Sequence, residues 1–199
     1  MSRSRTISAI ALFTALAFVL NLLIKVPAPY APFLVYQVWE VPILACFLIF
    51  GGWAGIAVSV LNLLILQVVY PGPLPSGPLY NLAAILATML GVAAAHRLFS
   101  KRGAGPSLVA GGATVLGGLS RVAIMTLVNG IFLPFSYPIG FSIPPAALPG
   151  ALTLIAIFNA TLVLYTVPLA YLVLRTVSAR YRLSVAHPLG ERGLGPPAG

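Results

Sequence analysis

The sequence predicts an all-α integral membrane domain of six transmembrane helices, on three observations: its composition, the gathering of apolar residues into long runs, and the placement of its positive charges. Of 199 residues, 60% are hydrophobic and 7% charged, whereas an ordinary soluble domain carries roughly a quarter charged residues. Mean hydropathy is +1.04. Runs of this kind must satisfy their backbone hydrogen bonds inside helices in lipid, so the composition argues against a water-soluble fold.

The first run, Thr6 to Ile24, follows Arg3 and Arg5 much as a secretory signal would. It exceeds the roughly 7–15 residues of a signal core, so it reads as a retained helix. A second run, Val41 to Phe50, is too short to cross a flat bilayer alone. It is either tilted, begun earlier near Phe33, or preceded by a loop folded back into the protein; Pro42 suits its first turn. The remaining runs are Trp53 to Tyr70, Leu79 to Phe99, Leu108 to Leu133 and Leu152 to Val177. Residues 1–177 thus form the membrane domain. The stretch from Ser178 to Gly199 is polar, bears Gly and Pro, and reads as a mobile cytoplasmic tail.

Orientation follows from the charges. Arg3 and Arg5 precede the first run, Arg97, Lys101 and Arg102 separate the fourth from the fifth, and Arg175, Arg180 and Arg182 follow the sixth. Six crossings place all three groups on one side, giving cytoplasmic N and C termini. The other side receives Lys25 and two uncharged loops, Pro71 to Pro78 and Pro134 to Pro149. Topology therefore accounts for the net charge of +9 without a nucleic-acid partner, since no basic helix or aromatic-basic interleaving is present.

Catalytic chemistry finds little to work with. Glu40 is the one acid of the membrane region, Glu191 belongs to the tail, and His96 and His187 fall at cytoplasmic positions. The sequence holds no HExxH, no GxSxG, no cysteine pair and no phosphate-binding GxxxxGK[ST] loop. Cys46, the single cysteine, reads as a small buried hydrophobe. No catalytic residue, metal set or cofactor is expected, and any ATP must be hydrolysed by another protein.

Polar groups within the helices are costly in hydrocarbon and should face protein, water or ligand. They are Glu40, Asn62, Asn81, Arg121, Asn129 and Asn159. Arg121 lies roughly 20 Å along its helix from Ser107 at ~1.5 Å per residue, deep in the membrane. Either it bridges to Glu40 or helix-end carbonyls, or it contacts a ligand. Asn129, eight residues on, is ~80° around and ~12 Å along the same helix, so both can line one cavity at different depths. Asn81, Asn129 and Asn159 would suit a neutral heterocycle edge or hydrogen-bond between packed helices. Aromatic residues collect toward the outer side, from Tyr30 to Trp39, at Tyr70 and Tyr80, and from Phe132 to Phe141. They form an interfacial belt, or in part stack on a flat ligand ring. Ala11 and Ala15 leave a shallow strip for close helix approach, by a neighbour in the chain or by a partner. No inverted repeat is visible, which disfavours an autonomous alternating-access carrier.

In order and spacing these residues resemble the substrate-capturing S component of energy-coupling-factor (ECF) transporters, most closely the riboflavin-type branch. The segment Leu34-Val35-Tyr36-Gln37-Val38-Trp39-Glu40-Val41-Pro42, then Phe47-Leu48-Ile49-Phe50-Gly51 and Ala54-Gly55, is similar to the family's tyrosine, acid before Ile/Val-Pro, FLFG and AG pattern. Asn62, the stretch Gly77 to Asn81, Arg121 to Asn129 (RVAIMTLVN) and Phe158-Asn159 resemble further family positions. Glu40 stands where Asp is usual, Leu162 where Lys is common, and Leu61 and Ile65 replace polar neighbours of Asn62. These departures bear on the ligand's identity more than on the architecture.

The resemblance implies a capture subunit of a prokaryotic plasma-membrane importer, with riboflavin as the transported ligand and another vitamin or precursor as the alternative. Tyr36, Trp39, Glu40, Asn62, Asn81, Arg121, Asn129 and Asn159 would bind substrate. Lys25 to Trp39 and Pro71 to Pro78 would close over it. Ala11 and Ala15 would dock on a transmembrane T component, itself joined to two ATP-binding cassette ATPases. An autonomous carrier and a ligand-free assembly subunit stand as competing readings.

Overall fold

A computed structural model describes residues 3–69, 74–101 and 103–181. Among these residues the elements run α1 (Arg3–Leu23), β1 (Val26–Ala28), β2 (Ala31–Tyr36), α2 (Glu40–Phe50), α3 (Gly52–Val69), α4 (Gly77–Ser100), α5 (Pro106–Phe132) and α6 (Leu148–Tyr181). Five of the six helices, all but α2, are long and apolar enough to cross a membrane.

Helix α2 explains how so short an element is accommodated. Its 11 residues reach only ~16 Å, about half the hydrocarbon thickness. Every residue from Glu40 to Ile49 is buried, and α2 packs against α1, α3, α4 and α6. A helix apolar all round and enclosed by protein need not meet lipid at either end. It begins at Glu40, which corrects the option of a start near Phe33. A single residue, Gly51, joins it to α3; at φ 93° it holds a left-handed conformation that favours glycine, and its N–H bonds the Phe47 carbonyl at 3.0 Å.

The segment before α2 is a short antiparallel hairpin, which amends the all-α expectation. Strand β1 pairs with β2 from Val26↔Tyr36 to Ala28↔Ala31, with one irregularity after Pro27. Pro27, Pro29 and Pro32 exclude a helix, since each lacks a backbone donor and clashes with the preceding turn. This is the loop folded back into the protein. It is fastened to α6: the Tyr36 hydroxyl lies 2.6 Å from Thr161 Oγ1, Tyr36 packs on Phe158 with ring centroids 4.9 Å apart, and the Tyr165 hydroxyl donates to the Gln37 carbonyl at 2.7 Å.

Helices α4 and α5 form the most extensive helix pair, and glycine makes it possible. A Cβ on Gly91 would stand 2.1 Å from the Leu116 carbonyl oxygen, so the two backbones touch. The α5–α6 connection folds on itself through Phe141 N–H and Ile143 N–H to the Leu133 carbonyl, at 3.1 and 3.2 Å. Its Ile139 carbonyl accepts from Ser76 Oγ at 2.8 Å and from the Tyr80 hydroxyl at 3.1 Å, tying it to the start of α4.

At the far end of α4, His96 is hydrogen-bonded to the Tyr171 hydroxyl of α6. Cys46 is buried in α2 as a free thiol. The tail is corrected at its start, because α6 continues through residues 178–181. The rest of it, with Arg182, His187 and Glu191, lies outside the described residues, as do Tyr70, Arg102 and residues 71–73 of the proposed closing loop.

Candidate functional site

Two polar assemblies occupy the interior, one behind the other. The first is centred on Arg121. Its guanidinium grips Glu40 with both arms, Nη1 to Oε2 at 2.6 Å and Nη2 to Oε1 at 2.8 Å. Nε donates to Asn159 Oδ1 at 2.7 Å and Nη1 to Thr88 Oγ1 at 3.3 Å. Arg121 is 3% and Glu40 1% exposed. Burying two charges is costly unless they are paired in good geometry with further hydrogen bonds, and the two-armed contact with extra amide and hydroxyl acceptors, which together take four of the five guanidinium N–H groups, supplies them. Glu40 also sits in the first turn of α2, where the helix dipole favours a carboxylate. The bridge, of the two readings of Arg121, is therefore made, and it links α2, α4, α5 and α6.

The second assembly is a cavity of about 310 Å³ that Arg121 also borders. Every helix except α2 lends it a wall: Asn21 from α1, Leu66 from α3, Tyr80, Asn81 and Ala84 from α4, Met125 and Asn129 from α5, and Ile155, Phe158 and Asn159 from α6. The hairpin and the residue after it add Leu34, Val35 and Gln37, and the α5–α6 connection adds Leu133 and Phe141. Leu74, Gly77, Pro78 and Lys25 complete the lining. The volume lies at the lower end of the ~300–1,000 Å³ that small-molecule sites occupy, and a mostly apolar wall with a few placed amides is their usual chemistry.

The amides are not equivalent. Asn159 is committed on both ends, since Nδ2 donates to the Ile155 carbonyl at 2.8 Å while Oδ1 receives Arg121. Asn129 spends Nδ2 on the Met125 carbonyl at 2.7 Å, which leaves Oδ1 as the acceptor at its end of the wall. No hydrogen bond ties the Asn81 side chain among the described residues. Asn21 accepts from Gln37 through Oδ1 at 3.3 Å and holds a buried Nδ2 without an acceptor.

Of the residues singled out from sequence, Asn81, Arg121, Asn129 and Asn159 converge on the cavity. Tyr36, Trp39, Glu40 and Asn62 stand off it. Tyr36 supports Phe158 from behind, Glu40 holds Arg121, and Trp39 and Asn62 share a separate narrow crevice with Asn81. Asn62 Oδ1 is buried there without a donor. The exposed faces of Tyr30, Phe132, Phe135 and Tyr137 fit an interfacial belt. Ala11 and Ala15 are exposed on α1, whose inward face is instead Ala9, Thr14, Ala17 and Asn21. The sequence reading passed over Asn21; Gln37, Tyr80 and Phe158 it named only within a matched segment or an aromatic belt, not as binding residues. Asn21 carried the same signal as the others, an amide inside an apolar run; Gln37 carried none beyond its neighbours.

No protein-family profile matches the chain, and no curated protein matches it. The fold is similar to a solved structure, the S component of a bacterial ECF transporter, with a TM-score of 0.70 and 22% identity over 90% of this chain and 98% of that one. At that identity the likeness speaks for the architecture alone.

Proposed function

We propose that this chain is the substrate-capture subunit of an ECF-type importer in a prokaryotic plasma membrane, binding without catalysis, with riboflavin as the first candidate ligand. The observation that carries the reading is the cavity of about 310 Å³ on which Asn81, Asn129 and Asn159 converge, in a fold similar to such a subunit. The positive charges at the start of α1 and the ends of α4 and α6 orient the cavity toward the exterior under the positive-inside rule. Apolar wall area would supply most of the affinity at ~25 cal/mol per Å² buried, and the amides would select the ligand. Neither a proton relay nor a second buried carboxylate is available among the described residues to drive transport, so the energy belongs to a T component and two ATP-binding cassette ATPases. The exposed Ala11 and Ala15 offer a surface to the T component.

The experiment is a titration of the detergent-purified chain with riboflavin, followed by flavin fluorescence. Quenching that saturates at nanomolar to micromolar ligand is expected. Folded protein that leaves the fluorescence unchanged removes riboflavin, and mass spectrometry of co-purifying small molecules then decides between another vitamin and none.

A further inference from the structure

Trp39 starts a chain of hydrogen bonds that ends at the cavity wall. Its indole N–H can only donate, and it points to Gln37 Oε1 at 3.0 Å. Gln37 must therefore present its amide nitrogen on the other side, where Nε2 lies 3.3 Å from both Oδ1 and the main-chain carbonyl of Asn21. Since Oδ1 of Asn21 is thereby fixed as an acceptor, its Nδ2 is fixed as a donor. That donor has no acceptor among the described residues, although Asn21 is only 4% exposed and lines the cavity. An unmatched buried N–H destabilises the chain that carries it. Here three side chains cooperate to keep it in place, while on the α5 wall Asn129 is held in the opposite sense, with its oxygen unspent.

We propose that Asn21, oriented by Trp39 and Gln37, donates its Nδ2–H to a carbonyl, hydroxyl or ring-nitrogen acceptor of the captured molecule, while Asn129 Oδ1 accepts from a donor on that molecule's other edge. This rests on the reading of the cavity as a capture site and sharpens it: the ligand is a polar molecule whose acceptor faces α1 and whose donor faces α5. Asn21 is the contact residue; Gln37 and Trp39 are positioning residues. The two amides thus read the polarity of the ligand along one direction and reject a molecule presented the other way round.

The test is a double-mutant cycle on the full chain with Asn21→Leu, Gln37→Glu and both together. In Asn21→Leu the Gln37 amide keeps the main-chain carbonyl of residue 21. In Gln37→Glu the carboxylate still accepts from Trp39 but gives Asn21 no donor, so the Asn21 amide turns over and offers oxygen to the ligand. Binding of riboflavin is measured by fluorescence, and thiamine, biotin, pantothenate and nicotinate by thermal shift; the compound that binds the parent chain serves as probe. Each single change should weaken it roughly tenfold, the size of one neutral hydrogen bond, and the double variant no further. Ligand-free Asn21→Leu should melt no lower than the parent. Unchanged affinity in Asn21→Leu, additive losses, or a clear fall in ligand-free melting overturns the proposal. If another vitamin binds and riboflavin does not, only the riboflavin assignment falls; if none binds the parent chain, the capture reading falls and takes this proposal with it.

Discussion

Around Arg121 the polar partners come from within the chain: a carboxylate from α2, an amide from α6 and a hydroxyl from α4 take four of the five guanidinium N–H groups. In the cavity beside it, built from the same residue types at similar burial, Asn21 has a donor to spare, and Asn129 turns only its nitrogen back on its own helix. The difference separates two roles that look alike in sequence. A cluster whose charges are paired and whose donors are largely spent fixes how helices pack, because it has little left to offer. An unsaturated one adjoining a cavity is open to a guest, because its unmet bonds are what a guest can complete.

This contrast can be broken most severely at the ion pair. Arg121→Leu leaves a buried carboxylate without its partner and should cost about 3–5 kcal/mol of stability, read as early unfolding in a denaturant titration of the detergent-solubilised protein. Adding Glu40→Leu removes the stranded charge as well and should recover a large part of that loss. Failure to recover would mean the pair does more than neutralise itself. At the cavity the balance reverses. Asn129→Leu should weaken riboflavin binding by at least roughly tenfold while costing the fold only about 1 kcal/mol, the value of its single bond to the Met125 carbonyl. Equal damage to folding and binding would place Asn129 with the structural cluster. The smallest effect belongs to the surface: Ala11→Trp on the exposed side of α1 should change neither melting nor ligand affinity measurably, yet block uptake when the energising subunits are co-expressed. Uptake at the parental rate would remove the docking role.

Helix existence was legible because it depends on local properties. Length and hydropathy of each run set whether a segment can satisfy its backbone in lipid, and those are read along the chain, as the near agreement of Leu79 to Phe99 with α4 (Gly77–Ser100) illustrates. The hairpin was less legible, since its signal is a scatter of prolines that excludes helix without specifying strand pairing. Glu40 and Arg121 could be suspected as a pair simply because an unpaired charge is untenable at that depth.

Sequence alone therefore determined that apolar helices dominate, that one acid and one arginine each need a partner within the membrane, and that asparagines are held where lipid penalises them. Only the tertiary structure decided which of those side chains are finished and which are not. Glu40 and Tyr36 were turned to support, while Asn21, unremarked in its apolar run, became part of the wall. The reason is that hydrogen-bond satisfaction is a property of neighbours: Arg121 meets Glu40 across 81 positions and Tyr36 meets Thr161 across 125. No pattern along the chain encodes which of an amide's two ends remains unspent once those partners are in place.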